Sequence, residues 1–278
     1  MPAFADVADL RAFIAAHRRV FVLTGAGCST GSGIPDYRDD NGDWKRRPPV
    51  MYEAFCTQPA VYRRYWARAF AGWPRFRSAV PGVAHRALAT FEESGALARL
   101  VTQNVDGLHQ QAGSRHVIDL HGRLDVVVCL GCRVRTAREE LQAAMAEANP
   151  LWSATAAAAP DGDADIDASA IDAFEPPRCH RCGGLVKPDV VFFGENVPAD
   201  RYEEARDALA GADALLVAGS SLMVYSGFRF VRQAHDAGLP IAIVNRGRTR
   251  GDDLTDLKVE GDVGEALTAA MRSISPTR

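Results

Sequence analysis

Apolar residues along this chain fall into two patterns. Val20-Phe-Val-Leu23, Ala214-Leu-Leu-Val-Ala218 and Pro240-Ile-Ala-Ile-Val244 are short continuous runs with no polar alternation. A strand needs that pattern when helices cover both faces of a parallel sheet. Helical spacing recurs between them, over Val7 to His17, around Ala60 to Phe70 and near Arg201 to Leu209. Gly82 to Gly95 also reads as a helix, with Ala84, Leu88 and Phe91 on one face. Leu100 to Asp106 begins as a strand and turns polar, Val117-Ile-Asp-Leu120 is a short strand, and Val190-Val-Phe-Phe193 is a strand or extended segment. Val259 to Val263 completes the set as an edge strand. Helices alternating with such strands predict an α/β, Rossmann-like doubly wound parallel sheet.

Polar and small residues recur just past the strand ends: Gly25-Ala-Gly27, Gln103-Asn-Val-Asp106, His121, Gly219-Ser-Ser221 and Asn245-Arg-Gly247. Open parallel sheets bind ligands at the carboxyl ends of their strands, so five such ends converging predict one site. Gly25 and Gly27 open a dinucleotide fingerprint, and glycines there let backbone N–H groups approach a pyrophosphate. Thr30 stands where the third glycine belongs, and no acidic ribose-binding residue ends a strand about twenty residues on. Ile34-Pro-Asp-Tyr-Arg38 follows as a rigid polar loop. The site reads as one that holds a dinucleotide for chemistry other than hydride transfer.

The 278 residues allow one large domain or a main domain with a satellite. A net charge of −3 gives nucleic acid no electrostatic purchase, and no apolar stretch is long enough for a bilayer. Met1 to Val20 carries Asp6 and Asp9 without a signal peptide's apolar core, so a cytoplasmic protein is expected. Four of the six cysteines form two C-x-x-C pairs, Cys129/Cys132 and Cys179/Cys182. Inside a cell that doubled spacing points to one structural zinc ion, closed by four thiolates with no open position. His180, between two ligands, reads as a surface residue. Cys28 and Cys56 are unpaired in pattern, and Cys28 reads as a packing residue. Residues 133–178 between the pairs include an insert, Asn149 to Pro177, rich in Ala and Asp. The domains expected are 1–122 with 190–278 for the dinucleotide, and an inserted zinc module at 123–189.

Taken in order, these strings resemble the sirtuin family of NAD-dependent protein-lysine deacylases over nearly the whole chain. The matches are G-A-G-C-S-T-G-S-G-I-P-D-Y-R from Gly25, T-Q-N-V-D-G-L-H from Thr102, H-G at His121 and both cysteine pairs. K-P-D-V-V-F-F-G-E from Lys187, G-S-S-L from Gly219 and V-N-R-G from Val244 complete them. Gly219-Ser-Ser221 departs from the commoner G-T-S but keeps the hydroxyl. Arg64-Tyr-Trp-Ala-Arg68, Gly72-Trp-Pro74, Asn149 to Ala154, Ala159 to Asp163 and Val224 to Gly227 look like the class II, mitochondrial-type branch. Tyr65-Trp-Ala-Arg68 has the Tyr-x-x-Arg spacing that reads negative acyl chains there, one residue out of register, so that role is not carried over.

The resemblance implies that an acyl-lysine protein or peptide passes its acyl group to the ADP-ribose of NAD, with release of nicotinamide. It implies His121 as general base, with Asn104 and Asp106 orienting ribose and nicotinamide. Gly25, Ala26, Gly27, Ser29, Asp36, Tyr37, Arg38, Gln103 and Val105 would face nicotinamide and phosphates. Gly219, Ser220, Ser221, Asn245, Arg246, Gly247 and Val263 would face adenosine. Phe193, Gly194, Glu195, Leu222, Met223 and Val224 would sandwich a substrate strand. Other readings stay open. Asp106 also suits a helix cap, His109 and His116 read as structural, and Trp66 and Trp73 as core. Lys45-Arg46-Arg47 reads as a solvated face on a loop able to close over NAD. The same coenzyme site serves protein mono-ADP-ribosyl transfer or a non-catalytic NAD sensor.

Overall fold

The computed structural model describes residues 6–45, 49–153, 157–158 and 164–272, which leaves Arg46, Arg47 and the string Ala159 to Asp163 outside the described residues. The strands in chain order are β1 (Val20–Thr24), β2 (Leu97–Thr102), β3 (Val117–Asp119), β4 (Gly122–Cys129), β5 (Arg135–Ala137), β6 (Ala157–Ala158), β7 (Ala164–Asp165), β8 (Val186–Val190), β9 (Ala214–Ala218), β10 (Ile241–Asn245) and β11 (Leu257–Glu260). Two compact units divide them. One comprises Met1–Arg46, Val80–Leu120 and Val197–Arg278; the other comprises Arg47–Ala79 and His121–Asn196.

In the first unit six strands pair in parallel in the order β11-β10-β9-β1-β2-β3. The chain runs outward from β1 through β2 to β3 on one side, and from β9 through β10 to β11 on the other. β1 and β9 therefore flank the point where the order reverses, the place where open α/β sheets bind ligands. Alternate side chains of β1 serve opposite cores. Val20 and Val22 join Leu10, Leu88, Phe91 and Leu267, whereas Phe21 and Leu23 join Leu209, Phe230, Val231 and Ile243. All five β1 residues are buried, which is why its sequence shows no polar alternation. Each fully buried large apolar side chain contributes roughly 1.5–3 kcal/mol. Val259 to Val263 divides at Asp262: the edge strand closes at Glu260, and Val263 opens a helix whose cap Asp262 accepts the Glu265 N–H.

The second unit holds an antiparallel sheet, β5-β4-β8, and the helix Pro59–Arg77. That helix runs past Pro74, longer than its apolar spacing suggests, and buries Trp66 and Trp73 as core residues. Tyr62 Oη donates to Pro177 O (2.7 Å) and Trp66 Nε1 to Val186 O (3.2 Å), so the aromatic face is also hydrogen-bonded. The ladder of β8 stops at Val190. Beyond it Phe192 packs on Phe55 and Tyr65, and Phe193 O accepts the Tyr52 N–H at 2.9 Å.

Where β1 and β9 end, backbone meets backbone. Gly27 N–H donates to Gly219 O (2.8 Å), and a Cβ on Gly219, which has φ +66°, would lie 2.6 Å from Cys28 N. Only glycine fits there. Replacing Gly219 by Ala is expected to destabilise the protein by about 1–3 kcal/mol through overpacking; a urea midpoint equal to that of the native protein would contradict this.

Candidate active site

The turn after β1 puts its glycines to a different use from the one expected. The Gly25 and Gly27 N–H groups are taken by Ala218 O and Gly219 O at 3.1 and 2.8 Å, so they brace the turn against the end of β9. Gly31 and Gly33 border open space instead, with nothing within 4 Å of an added Cβ. Cys28 is buried and donates to Ala218 O (3.3 Å). Burial pushes its thiol up to about 12, which makes it a packing residue rather than a nucleophile.

Asn104 and Asp106 emerge from the end of β2 and meet Ser29. Asn104 Nδ2 donates to Gly25 O (3.0 Å) and to Ser29 Oγ (3.0 Å). Because a carbonyl oxygen only accepts, the amide nitrogen must face the turn and the amide oxygen the other way. Ser29 Oγ donates to Asp106 Oδ2 (2.7 Å), and Asp106 Oδ1 accepts the Leu108 N–H (2.9 Å) from the position before Gly107, which is the N-cap of the short helix Leu108–Gln111. Gln103 Nε2 spans the switch point, donating to Thr24 O (3.2 Å) and Ser220 Oγ (2.8 Å). Gly227 makes room for its carboxamide: a Cβ there would lie 2.4 Å from Gln103 Oε1. Val105 and Ser221 are half-buried beside these groups in sequence.

Two histidines lie behind this cluster, both fully buried. His85 Nε2 stands 3.3 Å from Ser29 Oγ, and His109 Nε2 stands 3.0 Å from Thr24 Oγ1. Their rings are 4.7 Å apart. Burial lowers the His85 pKa against the opposing pull of Asp106, and lowers His109 further, with His85 adding to the effect. Sequence reasoning gave His109 a structural role and passed over His85, although an imidazole on the apolar face of Val83–Glu93 was a visible signal.

The segment Asp36–Arg38 lies in a small hairpin. Lys45 Nζ pairs with Asp36 (2.6 Å), Arg38 Nη1 donates to Gly42 O (2.7 Å), and Arg38 stacks on Trp44. Arg248 N–H donates to Asp40 O (2.9 Å), which docks the hairpin on the turn after β10. In that turn Asn245 Nδ2 donates to Arg246 O (2.7 Å), and Gly247 has φ +75°. Lys258 Nζ, 5% exposed, donates to Gly247 O (3.0 Å) and pairs with Asp252 (2.7 Å), which also holds Thr249. Sequence reasoning missed this brace, since neither Lys258 nor Asp252 belongs to a motif. Val263 is buried at the start of the last helix. Leu222 is buried at φ +60°, a strained position for a branched residue, while Met223 packs against Gly42 and Val224 is exposed.

In the second unit His121 is half-buried just before β4, and its carbonyl accepts the Val191 N–H at 2.8 Å. Glu195 Oε2 accepts from Lys187 Nζ and the Phe192 N–H, both at 2.9 Å, and so fixes the turn through Phe193 and Gly194. Lys187, unremarked in the sequence beyond its motif, is 4% exposed, and burial lowers its pKa.

The four cysteine sulfurs of Cys129, Cys132, Cys179 and Cys182 lie within 4.8 Å of one another. Cys129–Cys182 and Cys132–Cys179 are 3.5 and 3.7 Å apart, too far for disulfides. Those spacings match the edge of about 3.8 Å in a tetrahedron with zinc–sulfur bonds of about 2.3 Å. The Cys132 N–H donates to Cys129 Sγ (3.4 Å) and favours its thiolate, while the neighbouring sulfurs push the Cys132 thiol up, so the four do not all ionise together without a cation between them. The donor set fits zinc. His180 is exposed, as a surface residue would be.

Fold and strand-end chemistry together define a dinucleotide-binding α/β protein carrying a four-thiol metal module. The chain belongs to the Sir2 family, whose model matches residues 25–226. It is 58% identical to an NAD-dependent protein deacetylase of Xanthomonas campestris pv. campestris strain 8004, over 96% of this chain and 92% of that one. It is 56% identical to one from Bordetella bronchiseptica, over 94% and 96% of the two chains. A solved Sir2 with a deacetylated p53 peptide and 3′-O-acetyl-ADP-ribose is 31% identical, TM-score 0.78, over 98% of this chain and 100% of that one. Sir2Tm bound to a propionylated peptide is 32% identical, TM-score 0.77, with the same coverage. No described helix is long and apolar enough to cross a membrane.

Removing zinc with a chelator is expected to lower the melting temperature sharply, because binding energy at such a site is folding energy; unchanged melting with metal gone would contradict it. The two buried histidines also set an acid limit. The unfolded chain takes up protons near pH 6.5 where the native one does not, so stability is full above about 6.5 and falls as pH drops below it. Denaturant midpoints that stay level between about pH 7.5 and about pH 5 would count against this.

Proposed function

We propose that this protein is an NAD-dependent protein-lysine deacylase that transfers the acyl group of a lysine to ADP-ribose and releases nicotinamide. The observation that carries the reading is the hydrogen-bonded cluster of Ser29, Asn104 and Asp106 at the sheet's switch point. Membership of the Sir2 family and the deacetylase relatives support it. The residues fit NAD: the turns after β1, β9 and β10 present glycines and small hydroxyls, and Asn104 and Gln103 have amide orientations already set. NAD supplies a labile glycosidic bond and the ribose hydroxyls that receive the acyl group.

This chain's residues then bind and orient. Asn104 and Asp106 hold ribose and nicotinamide, with Gly25, Ala26, Gly27, Ser29, Asp36, Tyr37, Arg38, Gln103 and Val105 around that end. Gly219, Ser220, Ser221, Asn245, Arg246, Gly247 and Val263 take the adenosine end. Orientation of this kind is worth several kcal/mol of barrier. His121 accepts a proton from a ribose hydroxyl, a role an imidazole suits near neutral pH. Phe193–Glu195 and Leu222–Val224 flank an extended peptide by strand addition. Zinc on the four cysteines holds the module at 123–189 together and takes no part in the chemistry. Residues 1–122 and 190–278 form the coenzyme domain in this reading. The strings from Arg64 to Pro74 and from Asn149 onward support a class II, mitochondrial-type reading with longer acyl groups favoured over acetyl, and the thiol-rich metal site suits the cytoplasm.

Mixing NAD with an acyl-lysine peptide is expected to give the peptide with a free lysine amine, nicotinamide and acyl-ADP-ribose in equal amounts by mass spectrometry. The His121→Ala variant is expected to lose about 10²–10⁴-fold in kcat. ADP-ribosylated protein without free lysine would identify the transferase activity instead, and full turnover by His121→Ala would remove that residue as the base.

A further inference from the structure

His85 has no role in the reading above, yet it touches the one hydroxyl that both Asn104 and Asp106 share. Its ring is anchored at both nitrogens. Nδ1 accepts the Gly82 N–H at 3.1 Å, where His85 reaches back to cap the helix Val83–Glu93. Nε2 faces Ser29 Oγ at 3.3 Å. Ser29 has one proton, which goes to Asp106 Oδ2, and it accepts from Asn104 Nδ2. A hydroxyl with its proton committed can only accept from a further partner. His85 Nε2 must therefore carry the hydrogen, and Nδ1 must be bare to receive Gly82. Two independent constraints select the same neutral tautomer. An imidazolium would set Nδ1–H against the Gly82 N–H.

From this, and resting on the deacylase reading, we infer that His85 is a positioning residue: a helix-anchored, Nε2–H imidazole that saturates Ser29 and thereby fixes Asn104 and Asp106. The chain of consequence is short. With Nε2–H donating, both acceptor positions of Ser29 are filled, by His85 and Asn104, and its proton has one destination. Ser29 cannot rotate without breaking a bond to a buried partner, an expensive step at a site 1% exposed. Asn104 is then pinned between Ser29 and Gly25 O, and Asp106 between Ser29 and the Leu108 N–H. Burial, which lowers the His85 pKa, keeps the ring in the required neutral form. His109, 4.7 Å away, presents a second neutral ring rather than a charge that would compete.

The tautomer is read directly by long-range nitrogen–proton NMR correlations on the native protein. The expected pattern is a protonated Nε2 and a bare Nδ1; a protonated Nδ1 would overturn the inference whatever any variant does. Kinetics supply the second arm. His85→Leu is expected to lower kcat for deacylation by about 10- to 100-fold with the peptide KM little changed, the signature of misplaced rather than missing contacts. His85→Gln, whose amide offers an acceptor to Gly82 and a donor to Ser29, is expected to recover most of the loss. A folded His85→Leu protein with native kcat, or no recovery by His85→Gln, would overturn the proposal. If the leucine variant does not fold, the glutamine variant and the native tautomer decide. Failure of the deacylase reading would show separately, as no acyl transfer by the native protein.

Discussion

Much of this structure depends on one close approach of two backbones. Where β1 and β9 leave the sheet, Gly25 and Gly27 press against Gly219, and a side chain on any of the three would overlap main-chain atoms. The approach spends the glycine N–H groups on the neighbouring strand and so removes them from the set that could hold a phosphate. In exchange it draws the turn after β1 tight enough for Gly25 O to receive the Asn104 amide and for Gln103 to reach Ser220. Residues from three strand ends are thus held to one another before any ligand arrives. Such pre-ordering is how a protein reduces the reorganisation needed at the moment of reaction.

Two different solutions to buried polarity stand in the two units. Around Ser29 the groups satisfy one another through directed hydrogen bonds, and burial keeps the imidazoles neutral. At the cysteine module the sulfurs sit at the mutual distances a metal ion would set, and the backbone favours the thiolate of Cys129. The first arrangement gives orientation; the second gives cohesion to a small sheet.

The sheet was legible because its central strands are buried on both faces, and Val20–Leu23 and Ala214–Ala218 say so by having no polar positions. The polar residues past strand ends were legible for a similar reason, since Asn104, Asp106 and Ser220 interrupt apolar runs abruptly. What stayed hidden was tertiary. Pro74 looks like a stop, but the helix continues through it while Trp66 and Trp73 pack below. Val190 to Phe193 looks like a strand or an extended segment, and the structure divides it: the ladder stops at Val190 and Phe192 joins an aromatic cluster. The N–H groups of Gly25 and Gly27 were expected to approach a pyrophosphate, and only the fold shows them bonded to Ala218 O and Gly219 O. Lys258 and Asp252 are ordinary charges in the sequence, and burial alone gives them a structural meaning.

That last pair has a bearing on how the protein behaves in different cells. Surface ion pairs such as Arg206 with Asp207 weaken as mobile ions accumulate, because both charges are exposed and salt screens them. Lys258 is buried and Asp252 mostly so, and the loop they tie down therefore keeps its shape in dilute and in concentrated salt alike. Osmotic stress would then alter how strongly charged ligands are attracted while leaving the contour that receives them intact.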